Sequence, residues 1–193
     1  MSKKLSILVS VGALLLLSGC AGVDLVQAGK PQDLGDGVTV TPPVAWAKVV
    51  MIGKGSSLTI DGVGLGEVHY YTGIQPGKPI IDIASMSNVE IGKYQATMIP
   101  NDIMDLLASN LQKAGCKNVH ASDLAPAKFG SANGFKFNLS YVSEDGLEMK
   151  GEALIAQRGG KLDVLLFDAP AEYYYAHRQP DVEQLFSTIQ ASA

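Results

Sequence analysis

Cysteine is nearly absent: Cys20 and Cys116 are the only two in 193 residues. A disulfide scaffold is therefore excluded, and the fold has to stand on its core. The chain also lacks a basic run, and its formal net charge is -4. Nucleic acid is not an expected partner of such a chain, nor is an anionic membrane surface bound through charge. There is no CxxC, no HExxH and no Gly-x-Ser-x-Gly elbow, and His69, His120 and His177 are scattered. Zinc sites and α/β-hydrolase nucleophiles thus have no support, and neither a metal nor a cofactor is expected. Every Gly-Lys pair lacks the following Ser or Thr of a phosphate loop. Gly62-Val63-Gly64-Leu65-Gly66 lacks the dinucleotide spacing and reads as a glycine-rich loop between strands. After Leu17 no stretch is apolar enough to span a membrane.

What is present begins at the amino terminus. Lys3 and Lys4 precede a charge-free run from Leu5 to Leu17. Thirteen residues of helix span roughly 20 Å, short of the roughly 30 Å hydrocarbon core, which suits a signal peptide better than a transmembrane helix. Leu17-Ser18-Gly19-Cys20 follows. It resembles the lipobox of bacterial lipoproteins at all four positions. The resemblance implies that residues 1–19 are a cleaved signal peptide and that Cys20 carries a thioether-linked lipid and an acylated amino terminus (palmitate being a usual acyl chain). Burial is worth about 0.8 kcal/mol per CH₂, so a second chain turns marginal binding into stable anchoring. Ala21 stands where Asp retains lipoproteins in the inner membrane of Gram-negative bacteria. The resemblance therefore implies an outer-membrane anchor facing the periplasm. Loss of Lys3 and Lys4 takes the charge to about -6.

With 47% apolar and 18% charged residues the remainder is a globular composition of single-domain size. Residues 20–37 show no sustained period and read as a lipidated terminus with a flexible tether, about 16 residues spanning on the order of 20–25 Å. Residues 38–193 read as one α+β domain with a largely antiparallel sheet. Val38–Thr41, Trp46–Ile52, Leu58–Ile60 and Val68–Thr72 carry strand signals, and Gln95–Met98 a weaker one. A helix is expected after an Asn101 N-cap, with Ile103, Leu106, Leu107, Leu111 and Ala114 on one face and Gly115 ending it. Val119–Phe129 follows as one or two strands bent at Pro126. The alternation of Phe135, Phe137, Leu139 and Tyr141 comes next, then a strand with a bulge at Gly151, and an apolar central strand over Leu162–Phe167. A last helix is expected after Pro180, on Val182, Leu185, Phe186 and Ile189.

The side chains with chemical promise are few. Glu67, His69 and Tyr71 share one face of a strand and read as a solvated polar surface. Cys116 reads as a small packed side chain near a helix end, with a reactive thiol as the alternative. Trp46 reads as core. Asp168 to Arg178 is the densest unusual segment. Tyr173, Tyr174, Tyr175, His177 and Arg178 offer either an interaction surface or rings that close the end of the sheet.

The order of strands, helix, meander and C-terminal helix is similar to the PsbP/Mog-like α/β/α sandwich, and to a group of proteobacterial lipoproteins. The stretches that carry this are Leu58-Thr-Ile-Asp-Gly62, Tyr71-Thr-Gly-Ile74, Gly134-Phe-Lys-Phe137, Asp145-Gly-Leu147 and Asp168-Ala-Pro170. The resemblance implies a binding or assembly-accessory role and carries over no site residue. Three functions compete. The first is a non-enzymatic, membrane-anchored envelope lipoprotein that acts as an accessory or binding domain, an envelope protein being one candidate partner. The second is a small apolar-ligand carrier with an enclosed pocket. The third is an envelope hydrolase, which needs a histidine to converge with carboxylates.

Overall fold

The computed structural model describes residues 23–51, 55–83 and 89–191. The expected signal peptide over residues 1–19, Cys20 and Gly53-Lys54 lie outside them. The elements run β1 (Val23–Val26), β2 (Gln32–Gly35), β3 (Val38–Val40), β4 (Trp46–Met51), β5 (Gly55–Thr59), β6 (Glu67–Ile74), α1 (Pro100–Lys113), β7 (Lys117–Phe129), β8 (Ala132–Val142), β9 (Glu148–Arg158), β10 (Lys161–Pro170), α2 (Tyr174–Ser187) and β11 (Gln190–Ala191). Eight strands form an antiparallel sheet in the order β1-β4-β5-β6-β10-β9-β8-β7, and β11-β3-β2 form a small second sheet. The fold is α+β, as the sequence pattern implies.

The strand β10 explains the layering. Leu162 through Ala169 are buried without interruption, so both faces of the strand are covered. On one face Leu162, Val164 and Leu166 pack with Phe135, Phe137, Leu139 and Ile155 under Ile103, Leu107 and Leu111 of α1. On the other, Leu165 and Phe167 pack with Trp46, Leu58 and Val68 under Val182 and Leu185 of α2, joined by Leu34, Val38 and Val40 of the small sheet. The strand β8 keeps strict alternation because Lys136, Asn138 and Ser140 look outward. Pro126 is tolerated because β7 is an edge strand.

The tether expected over residues 20–37 is a correction. Val23–Val26 pair with β4, and Val26 is buried opposite Trp46. Gln32–Gly35 pair with β3. Thr72 donates to the carbonyl of Leu34 at 2.7 Å, and Lys161 reaches Asp36 at 2.6 Å. These strands are too short for periodicity to show, and the partner of β1 lies twenty or more residues away.

Other expectations shift by identifiable causes. The helix α1 starts at Pro100 with Ile99 as N-cap, so Asn101 lies inside the first turn. The Ile99 N–H donates to the Asp102 carboxylate at 3.1 Å, and Pro at N1 loses no helix bond. Gln95–Met98 is a turn, not a strand. The Met98 carbonyl accepts from Gln157 at 3.2 Å. Asn110, which is fully buried, ties down the chain before it: Ile80 and Ile81 donate to its Oδ1, and its Nδ2 donates to the Gly92 carbonyl. The helix α2 begins at Tyr174 and runs through Pro180, not after it. Gly151 is not a bulge, since it pairs in unbroken register with Leu139 and Asp168. The strand β7 is a single strand whose irregularities fall next to Asn118 and Asp123, both in the left-handed conformation that Asn and Asp tolerate.

Asn110→Ala removes the acceptor of two backbone donors beneath α1. The expected cost is about 2 kcal/mol or more, read as a lower urea midpoint. An unchanged midpoint would show that residues 80–92 are held by other contacts.

Candidate functional site

The alternation of β6 puts Glu67, His69 and Tyr71 on the sheet face that α1 covers elsewhere, and the structure withdraws this trio from solvent. Glu67 is 5% exposed and the His69 side chain 18%. The expectation of a solvated surface therefore fails: Ser57 and Thr59 of β5 and Asp168 of β10 stand beside the trio in register and are themselves buried.

Each carboxylate is held by donors from other strands. Ser57 donates its hydroxyl to Glu67 Oε1 at 2.6 Å, and the Gly64 N–H donates to Oε2 at 2.9 Å. Gly62, Gly64 and Gly66 all have positive φ, so this glycine run is the β5–β6 turn, shaped to cradle Glu67. Asp168 takes the Tyr141 hydroxyl at 2.6 Å on Oδ2, while His69 Nε2 lies 3.4 Å from Oδ1. Tyr141 belongs to β8 and must reach across β9 to do this. Gly151 lies between, on the same face, and presents no side chain in the way. A Cβ there would also sit 2.8 Å from the Phe167 carbonyl oxygen.

The electrostatics follow from two carboxylates facing one imidazole. Burial alone would depress the His69 pKa. The charge of Asp168, its hydrogen bond and the charge of Glu67 outweigh burial, and the imidazole titrates above its ordinary value. Burial first, then the Asp168 charge, pushes the Tyr141 and Tyr71 hydroxyls up. The two carboxylates favour the protonated form of His69 against its burial. The cluster aims neither hydroxyl at the imidazole, because Ser57 and Tyr141 donate to carboxylates instead.

Cys116 packs at the margin of the same core, half-buried, and burial with the Asp168 and Glu144 charges raises its thiol to about 11. A thiol raised in this way favours its protonated form at neutral pH, which weighs against the reactive alternative.

The other singled-out side chains are dispersed. His120 is exposed on β7 and His177 on α2, so only His69 meets carboxylates. Tyr175 stacks on Phe167 with ring centres 5.2 Å apart, and Tyr174 packs against the core. Arg178 makes two 2.5 Å bonds to Asp61 and a third to Asp181, fastening α2 to the β5–β6 turn. Tyr173 is 57% exposed and stacks on His177, so these two face outward. Trp46 is core. An open groove of about 480 Å³ lies beside the start of α1, lined by Pro100, Leu124, Pro126, Phe135 and Gln157. Among the described residues no group of three or more His, Cys, Asp or Glu is placed to hold a metal ion, and no helix is long and apolar enough to cross a membrane.

The sequence reading missed Ser57, Tyr141 and Asp168. The apolar run read as a strand stops at Phe167, one residue short of Asp168. Its position two residues beyond Leu166, in phase with the apolar strand, was the available signal.

No family model and no curated protein matches the chain. Among solved structures it is similar to cyanobacterial PsbP (CyanoP) from Synechocystis sp. PCC 6803, with a TM-score of 0.48 and 16% identity over 96% of this chain and 99% of that one. It is also similar to LpqN of Mycobacterium tuberculosis, described as involved in cell envelope biogenesis, with a TM-score of 0.38 and 10% identity over 89% and 92%. At these values neither likeness carries a functional argument.

Two outcomes are expected. In Asp168→Asn the His69 imidazole, still buried but without its nearest countercharge, titrates lower than in the parent chain, as NMR of the ring protons will read. In the parent, the raised pKa contributes stability that is full below about pH 6.5 and is lost as pH rises through the folded-state value. The urea midpoint should therefore fall on the alkaline side, and His69→Gln should flatten that fall. Separately, iodoacetamide should modify Cys116 in the folded protein far more slowly than it modifies a free cysteine. Equal rates would contradict the protonated, half-buried thiol.

Proposed function

We propose that this protein is a lipid-anchored domain of the bacterial cell envelope, held at the periplasmic face of the outer membrane by acyl chains on Cys20, and that it acts by binding an envelope protein rather than by catalysis. The observation that carries this reading is Leu17-Ser18-Gly19-Cys20 directly behind a short charge-free run. The start of the folded body supports it, since β1 begins three residues after Cys20. A binding role is supported by the burial of the cluster that joins His69 to carboxylates. Ser57 is 1% and Glu67 5% exposed, so a substrate has little access to their oxygens, and neither Ser57 nor Tyr141 donates to the imidazole. The carrier reading gains less, because Ile103, Leu107, Phe137 and Ile155 fill the space between α1 and the sheet. Tyr173 and His177, stacked and outward, are the side chains of the Tyr-rich segment free to meet a partner.

Cys20→Ser should abolish acylation, seen as loss of the lipid mass by mass spectrometry, and should move the protein from the membrane to the soluble fraction. Crosslinking of the acylated chain in cells should capture an envelope protein, less so in Tyr173→Ala. Unchanged fractionation of Cys20→Ser would sink the anchor. Turnover of an envelope substrate by the pure protein, lost in His69→Gln, would sink the non-enzymatic reading.

A further inference from the structure

The strand β1 is an unusual edge. It ends the eight-stranded sheet, and among the described residues no strand pairs with its outer side. Val23 is 59% and Leu25 71% exposed, the latter the most exposed large apolar side chain among the described residues. They lie two residues apart and so project from one face of the strand. On the opposite face Val26 is locked into the core beside Trp46, and Asp24 stands opposite Lys48. The two apolar side chains are thus held outward by a strand whose other face is fixed. A flat apolar edge is ordinarily a site of strand-to-strand aggregation and needs a cover.

The chain's own geometry names the cover. Only Ala21 and Gly22 separate Cys20 from Val23, three chain steps with a reach of at most about 11 Å. The headgroup layer of one leaflet is only about 5–8 Å thick. A lipidated Cys20 therefore holds β1 against the headgroups, with no tether to lift it clear. We propose, on the reading that Cys20 carries the anchor, that Val23 and Leu25 form a membrane-docking edge seated in the interfacial layer of the bilayer that holds the acyl chains. The edge N–H and C=O groups keep water and headgroup oxygens as partners there, which the hydrocarbon core would deny them. The anchor and the strand together make two attachments, so the domain lies at a fixed orientation on the membrane. The α2 side and the far edge at β7 then remain open to the periplasm.

The test uses the full chain in its lipidated form, with Cys116→Ala and a single fluorescent bimane label at Leu25→Cys or, as control, at Leu147→Cys. Leu147 is half exposed in the β8–β9 turn, toward the opposite edge of the sheet. The protein is reconstituted in vesicles of phosphatidylethanolamine and phosphatidylglycerol containing brominated lipid. The label at position 25 should shift to the blue and lose more than half of its emission, while the label at 147 keeps its own. Equal emission from both, with Cys20 acylated by mass spectrometry, overturns the docking edge and leaves the anchor standing. Lack of acyl mass on Cys20 overturns both. Shielding of the Leu25 label in the Cys20→Ser chain as its concentration rises without vesicles would make a second copy the occupant, and overturns the proposal.

Discussion

Burial of the strand Lys161–Pro170 on both faces is the constraint on which the rest of the molecule depends. A strand with eight consecutive buried residues needs two covering layers, and this chain supplies one from its middle and one from its two ends. The helix α1 covers one face together with Ile80 and Tyr94 of the chain before it. The helix α2 and the small sheet β11-β3-β2 cover the other. The N-terminal strands are drawn into the domain by the same need, since Leu34, Val38 and Val40 complete the cover that one helix leaves open. Asp163, fully buried in this strand, is accommodated by Arg158 at 2.7 Å and the Gly73 N–H at 2.9 Å, as a buried carboxylate requires.

The polar cluster grows from the same strand. Asp168 continues the phase of Leu162, Val164 and Leu166 and so points into the α1-side layer rather than to water. A carboxylate there must find donors, and it finds Tyr141 from two strands away and His69 from its neighbour. Asp168 first, and then Glu67 opposite it in register, offset the burial of the imidazole and raise its pKa. Gly151 is the permissive element: it lets the tyrosine hydroxyl pass and lets β9 lie close to β10. The cluster therefore reads as a buried charge arrangement that holds three strands in register, with its hydroxyl protons already committed.

The limits of legibility are specific. Strands longer than about five residues with regular alternation, such as Phe135–Tyr141, were visible because period 2 against a covered face is a local signal. The apolar stripe of α1 was equally plain. The short strands Val23–Val26 and Gln32–Gly35 were not, because their stability comes from partners more than twenty residues away in one case and from a docked turn in the other. Pro180 misled because a proline ordinarily marks a boundary, whereas here Tyr175 on Phe167 and Arg178 on Asp61 pin the turns before it. Gly151 looked like a bulge because a sequence shows a missing side chain but not the carbonyl that would meet it. Arg178 looked available because its partner Asp61 is 117 residues distant.

The sequence alone determined the α+β class, the main helix, the meander and the central position of the apolar strand, all consequences of local periodicity and turn chemistry. It also contains Leu17-Ser18-Gly19-Cys20, whose resemblance to a lipobox is read from four adjacent residues and needs no fold. Only the tertiary structure decided that the N-terminal segment is part of the sheet, that Glu67 and His69 are buried with Asp168 and Tyr141, and that Val23 and Leu25 are left facing outward. Those outcomes depend on which distant strands pair and on which face each side chain takes, and no local pattern encodes the pairing.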